Sequence, residues 1–317
     1  TISTSPRTCS AGIPCKCPSH LGTNQLPATN VAMTIDYDRL LNWKFDDIEH
    51  AYTKNDTILY ALGVGLGGDP LDERQLRFVY EENLQALPTM AIVLGSPGFW
   101  LKEQNTGVDW VRVLHGEQGL VLHRPLPPQG IAIGRMRVKE ILDKGADKGA
   151  LIYSEKELID KASGETIATA TSTTFARGDG GFGGPTGPSA KPHAIPDRNP
   201  DLTCDLTTLP QAALIYRLSG DLNPLHADPE VARKAGFDAP ILHGLCTLGA
   251  AGHAILKTCC DYNPTRFKGL QLRFSAPVYP GETIRTEIWH DDGVVSFRSK
   301  VVERDVVVLN NGKAELE

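Results

Sequence analysis

An internal repeat constrains this chain more than any other feature of its sequence. "ILYALGVG" begins at Ile58 and "LIYRLSGD" at Leu214, and superposing them 156 positions apart sets Tyr60 on Tyr216 and Leu62 on Leu218. At the same offset "LPTMAIVLG" (87–95) falls on "HGLCTLGAA" (243–251). Between the copies runs "RGDGGFGGPTGPSAKPHAIPDRNP" (177–200), which is dominated by Gly and Pro and has no hydrophobic period, so it reads as a linker. The organisation that follows is a leader over 1–33, an N-terminal half over 34–176, the linker over 177–200 and a C-terminal half over 201–317. Two related halves must fold the same way, so whatever one half can form, the other has to form too.

Each half opens with segments of helical apolar spacing. Each then passes a Pro-rich entry, "RPLPPQG" (124–130) or "APVYPG" (276–281), into strand-like runs. Those runs are 130–142 and 150–160 in the first half, and 282–290, 293–305 and "VVVLNN" in the second. "GLCTLGAAGHAILKTCC" (244–260) is apolar on nearly every side, and its small residues Gly249, Ala250, Ala251 and Gly252 suit close approach to strands. "LPTMAIVLGSPGFWL" (87–101) reads as its counterpart. One long helix wrapped by an antiparallel sheet, twice in one chain, predicts an α+β double hotdog.

Composition narrows the function. The chain is 41% hydrophobic and 22% charged with a formal net charge of −6, and it has no Lys/Arg cluster, which argues against a nucleic-acid partner. No run is long and apolar enough for a membrane span. The seven cysteines match no zinc spacing, and their odd number suits free thiols in a reducing compartment. The leader is rich in Pro, Ser, Thr and Cys and lacks the apolar core of a secretory signal. The closing Leu-Glu resembles an expression scar, so a native C-terminal targeting signal is not visible.

The chemistry concentrates in "YRLSGDLNPLHADP" (216–229), where Asp221, Asn223 and His226 fall within six residues around Pro224. The plain reading is turn and cap chemistry, with Asp228 capping a helix that begins at Pro229. A metal reading needs a second ligand cluster, and none of suitable spacing occurs. There is no G-x-S-x-G elbow for a serine hydrolase. Cys246 beside His243 reads as a buried thiol rather than a nucleophile. An acid–base reading explains more. Pro224 stops the preceding helix and turns the chain so that Asp221 and His226 converge on one water, with Asn223 in support. Gly244, at the start of the buried helix, offers an N–H to developing negative charge. In the sister half these positions are Gly65, Gly67, Pro70 and Pro88, so the first copy lacks every piece. That half, with Gly63, Gly65, Gly67 and Gly68 leaving space beside apolar walls, is expected to leave room for a long apolar group near Met90 and Val93.

From Tyr216 to Gly249 the sequence resembles the hydratase 2 motif of MaoC-like, R-specific enoyl-CoA hydratases. It is especially similar to the eukaryotic two-hotdog form, found as the hydratase domain of peroxisomal multifunctional enzyme type 2 or free-standing. "VLHGEQ", "PLP", "LDKG", "YSEKEL" and "GDGGFGG" carry the resemblance from about residue 45 onward. It implies reversible hydration of trans-2-enoyl-CoA to (3R)-3-hydroxyacyl-CoA in β-oxidation, in a peroxisome, with no cofactor and no metal. It implies catalytic roles for Asp221, His226, Asn223 and Gly244. It also implies substrate contacts at His115, Gly116, Lys144, Leu222, Pro224, Leu225 and Phe274. Two hotdogs paired in one chain make a pseudo-dimer, and a homodimer of such units is expected. No Rossmann fingerprint precedes the motif and no sterol-carrier-like segment follows it. A thioesterase or a non-catalytic acyl-CoA binder remains the alternative.

Overall fold

Ten strands pair into one antiparallel sheet in the computed structural model, which describes residues 35–317 apart from 104 and 292; the leader and its Cys9, Cys15 and Cys17 lie outside the described residues. In chain order the strands are β1 (Ile48–Tyr52), β2 (Val113–Leu122), β3 (Gly130–Asp143), β4 (Ala150–Asp160), β5 (Thr166–Ala176), β6 (Leu202–Thr207), β7 (Phe267–Phe274), β8 (Thr283–Asp291), β9 (Val294–Val301) and β10 (Val306–Leu316). Their spatial order is β1-β3-β4-β5-β2-β7-β10-β9-β8-β6. The order of the second half retraces that of the first from the β2–β7 seam outward, as two copies related by a local two-fold must. The seam is a true ladder, with Glu117 opposite Arg273 and Leu120 opposite Leu270.

The helices are α1 (Tyr37–Leu41), α2 (Lys54–Gly63), α3 (Glu73–Val79), α4 (Ala212–Tyr216), α5 (Pro229–Lys234) and α6 (Gly244–Cys259). Asp228 caps α5 and Pro229 opens it, as its sequence predicts. α6 is the central helix: every residue from Cys246 to Leu256 is buried. Its apolar neighbours include Leu270, Ile284, Ile288 and Phe297 of the surrounding strands. The double hotdog architecture is therefore present, with one long helix rather than two.

The expected second helix over 87–101 does not form. Pro88 opens a 3₁₀ turn that ends at Ile92. Its place matches that of Gly244 at the start of α6, so the repeat holds at this point. Gly95, at φ 60°, together with Pro97 and Gly98, prevents the turn from propagating. The chain lies flat on β3 instead, because a Cβ on Gly134 would collide with the Gly95 backbone. Two buried polar contacts hold it there. Lys156 on β4 donates its Nζ to Ile92 O (2.7 Å) and to Leu94 O. The Gly95 N–H donates to His50 Nδ1 at 3.2 Å. Lys156 is buried without a carboxylate partner, and that desolvation pushes its pKa down to about 7.

Two further expectations change. The small residues of α6 admit the other half rather than strands: a Cβ on Gly249 would meet Val64 at 2.5 Å, and one on Gly252 would meet Thr89 at 2.6 Å. The glycines around the end of α2 leave less space than expected: Gly63 and Gly65 border a cavity of only about 30 Å³. Gly65 and Gly67 take φ 88° and 78° to turn the chain, and Val79 and Leu62 cover Gly67. Residues 177–200 form a strap. Asp143 accepts the N–H groups of Gly181 and Gly183, and His193 Nε2 meets Ser296 Oγ at 2.8 Å. Ser296 alternates with the core residues Val295 and Phe297, so the strap crosses the sheet face opposite α6.

The halves also share a buried hydrogen-bond link. His253 of α6 bonds Val64 O through Nδ1 (3.2 Å) and the Tyr262 hydroxyl through Nε2 (3.2 Å). Burial pushes its pKa down to about 4. A depressed histidine adds stability above its unfolded pKa of about 6.5, and that stability is lost as pH falls toward the folded value. We expect wild-type stability in denaturant melts to fall between roughly pH 6.5 and 4. In His253→Gln the loss over that window should be smaller, while a curve parallel to wild type would assign the acid sensitivity elsewhere.

Candidate active site

The Asp-Asn-His stretch folds as a tight corner between α4 and α5. α4 runs into a 3₁₀ turn that stops at Gly220, which holds φ 117° as its left-handed cap. Pro224 does not stop this helix; it opens the next 3₁₀ turn, Pro224–His226, which Asn223 caps by accepting the Leu225 N–H at 3.1 Å. The Asp221 carboxylate accepts the Asn223 N–H at 3.1 Å. The plain turn-and-cap reading is thus correct for the backbone, and it leaves the Asn223 amide NH₂ and the His226 ring to face other partners.

His226 is buried and its orientation is fixed. Its Nδ1 donates to Ile241 O at 2.8 Å, so the neutral ring carries its lone pair on Nε2. Burial lowers its pKa, against the opposing pull of Asp221, and keeps the ring neutral as an acceptor near pH 7. Asp221 remains exposed, as do Leu222 and Pro224, while Leu225 is half-buried.

The reading of the sequence missed His243. Its ring stacks on His226 with centroids 3.8 Å apart and planes 28° apart. Its Nε2 donates to Asp221 O at 3.1 Å. It therefore holds the backbone of Asp221 and the face of the His226 ring at once. Burial, followed by the neighbouring His226, pushes its pKa down to about 4, because two stacked imidazoles resist carrying charge together. The available signal was its place directly before Gly244, which sequence reading had weighed only as a partner for Cys246. That thiol is buried, donates to Gly63 O and has its pKa pushed up, so it is no nucleophile. One ligand atom from each of Asp221, His226 and His243 lies within 4.8 Å of the others.

Gly244 is exposed at the first position of α6, and no side chain caps that helix end. The first N–H groups of a helix have no partner within it, so they and the helix dipole face the corner. The Phe274 ring, at the end of β7, lies 3.2 Å from where a Gly244 Cβ would stand. His115 packs on the other side of that ring, with centroids 4.6 Å apart. Surrounding protein lowers the pKa of His115 even though the ring stays open to solvent. Gly116 is the extra residue of a bulge in β2, between His115 and Glu117. Residues distant in sequence, His115, Phe274 and Gly244, thus form one wall. Lys144 stands apart from it, with its Nζ on the strap at Ser189 Oγ (3.3 Å) and Gly187 O (3.5 Å).

A cavity of about 90 Å³ opens at Ser219 and Gly220, the two residues before Asp221. Leu59, Met90, Val93 and Leu94 of the first half line it. A roomier depression of about 390 Å³ lies beside strap residues 190–193, among Glu117, Lys139, Tyr153 and Arg273. The Arg273–Glu117 and Lys139–Glu155 pairs run along it beside Glu140 and Lys191. Asp221, His226, His243 and Gly244 line neither depression, and the smaller one begins at the residues next to Asp221 in the chain.

Comparison with known proteins agrees with this assembly. The profile of the MaoC like domain matches residues 191–312, and that of the MFE-2 hydratase 2 N-terminal domain matches residues 50–178. The probable enoyl-CoA hydratase 2 of Dictyostelium discoideum is 40% identical, covering 90% of this chain and 98% of that protein. The crystal structure of a MaoC-like dehydratase from Phytophthora capsici superposes with a TM-score of 0.78 at 35% identity, covering 88% of this chain and 98% of that one. Full-length peroxisomal multifunctional enzyme type 2 from Drosophila melanogaster gives a TM-score of 0.74 at 37% identity, covering 86% of this chain and 48% of that protein. The fold and the corner thus define a MaoC-like protein, and within that class the chain belongs to the enoyl-CoA hydratase 2 family.

The geometry of His226 is directly testable. In ¹⁵N-histidine spectra we expect its neutral ring as the Nδ1–H tautomer, titrating below the roughly 6.5 of a free imidazole. A protonated ring at pH 7, or an Nε2–H tautomer, would contradict the arrangement.

Proposed function

We propose that this chain hydrates trans-2-enoyl-CoA to (3R)-3-hydroxyacyl-CoA, reversibly, as a hydro-lyase of β-oxidation. The observation that carries the reading is a neutral, tautomer-fixed His226 and an exposed Asp221 carboxylate at one corner, tied through His243 to the uncapped start of α6. Hydration adds H and OH across a double bond conjugated to a thioester. The water oxygen bonds to Cβ as its proton leaves to the Asp221/His226 pair, and the π electrons move to the thioester oxygen. The Gly244 N–H holds that oxygen, and such a donor commonly contributes roughly 3–4 kcal/mol. The enolate then takes a proton from the pair at Cα, which restores the thioester and the starting protonation. Asn223 positions the water. His115, Gly116, Phe274 and Lys144 would contact the ester and its CoA portion, together with the backbone of Leu222, Pro224 and Leu225. Charge balances without any cofactor. Peroxisomal residence and homodimer formation belong to the same proposal. The first rests on relatives with peroxisomal names, the second on the pseudo-dimeric design.

Crotonyl-CoA tests the reaction. Loss of the conjugated enoyl absorbance without free thiol supports hydration, release of thiol indicates a thioesterase, and neither indicates a binder. In Asp221→Asn and His226→Gln we expect kcat to fall at least about 100-fold with the fold intact. The double variant should lose little more, because the pair acts as a unit. Near wild-type kcat in either folded single variant would remove that residue from the mechanism.

The first half, stripped of the acid, the base and the helix-end amide, holds the acyl tail in this proposal. The support is that Met90 and Val93 line the cavity that begins beside Asp221. Trp at Val93 or Met90 should lower the ratio of kcat/KM for a ten-carbon enoyl-CoA to that for crotonyl-CoA. Met90 is also buried core, where overpacking costs roughly 1–3 kcal/mol. Melting temperatures recorded alongside separate the two effects: equal losses on both substrates with a lowered Tm would make this half structural support alone.

A further inference from the structure

The cavity beside Asp221 is apolar along its length but not at its first-half end. There His50 of β1 and Asp56 of α2 join the lining. Each affects the titration of the other, so the two lie close together. His50 Nδ1 is occupied as an acceptor from the Gly95 N–H, so the neutral ring carries its proton on Nε2. Asp56 closes the capping box of α2 by accepting the Thr53 N–H and hydroxyl, each at 2.7 Å. Both of those bonds end on Oδ2, so Oδ1 can accept from a further donor. At the near end the buried Ser219 hydroxyl also has no partner.

A saturated tail is a poor match for this lining. Asp56 is exposed and His50 half-buried, so a methyl terminus brought against them would displace part of their water and return no hydrogen bond. A terminal carboxylate would face the negative charge of Asp56. A hydroxyl matches both groups, since it can accept from His50 Nε2–H and donate to Asp56 Oδ1. One wall of the cavity is pinned where Lys156 holds Ile92 and Leu94 and where Gly95 is tied to His50. The cavity volume of about 90 Å³ admits a short run of methylene-sized groups, taking roughly 10–15 Å³ of such space for each. We propose that this cavity selects enoyl-CoA chains bearing a terminal hydroxyl, within a narrow range of lengths. The proposal rests on the hydratase reading and names the substrate class of that same site.

The test compares trans-2-enoyl-CoA esters of six, eight and ten carbons, each with and without a terminal hydroxyl. Every kcat/KM is divided by the value of the same enzyme on crotonyl-CoA. We expect the hydroxyl to raise this ratio about tenfold at one length and little at the others, the gain of one well-placed hydrogen bond. His50→Leu should abolish the gain. Asp56→Asn, which keeps an oxygen for the cap, should reduce it and improve turnover of the matching terminal carboxylate. A wild type indifferent to the hydroxyl at every length would overturn the proposal, as would a gain that survives in both variants. Should His50→Leu fail to fold, the hydroxyl and carboxylate comparison in Asp56→Asn decides alone. Absence of turnover on crotonyl-CoA would instead remove the underlying hydratase reading.

Discussion

A sixteen-residue helix whose only permanent charge is Lys257 has to be buried along its length, and the rest of the structure follows from how that is done. The strands of the second half curl around α6. Gly249 and Gly252 let the first half close over its remaining side at van der Waals distance. Burial leaves only the ends of the helix with access to water. The N-terminal end, uncapped and beginning with Gly244, emerges where the halves meet. Polar groups brought there find a helix dipole, a low dielectric and bare N–H groups, the conditions under which one hydrogen bond to a developing anion counts most.

The two halves answer the same constraint differently. The position that is Gly244 in one is Pro88 in the other, and a proline has no N–H to offer. In the first half the counterpart of α6 is only the Pro88–Ile92 turn, with a buried lysine satisfying the carbonyls of Ile92 and Leu94. Met90 of that turn, with Val93 and Leu94 just after it, lines the cavity next to Ser219 and Gly220.

Much of this was legible in the sequence. The repeat foretold a helix and an antiparallel sheet in each half, and its offset placed Pro88 and Gly244 at equivalent helix starts. β4 occupies the predicted 150–160. What escaped depends on contacts distant in sequence. The 87–101 segment has a helical apolar pattern, and only packing of Gly95 on Gly134 shows why it lies flat. His243 looked like a neighbour of Cys246, because a stack on a residue seventeen positions earlier leaves no periodic trace. Gly220, not Pro224, ends the helix before Asp221, since a left-handed cap stops a helix as firmly as a missing N–H. Lys144 was named through resemblance alone, and it lies on the strap, away from the wall formed by His115, Phe274 and Gly244.

The central claim is that a single helix end, that of α6, meets the thioester. Selective ¹⁵N-glycine labelling with 3-hydroxybutyryl-CoA as ligand tests it directly. The account predicts that the Gly244 amide proton moves downfield on saturation, by more than any other glycine amide, as expected for a new hydrogen bond to the thioester oxygen. A Gly244 resonance that stays in place while glycines elsewhere in the chain respond would contradict it.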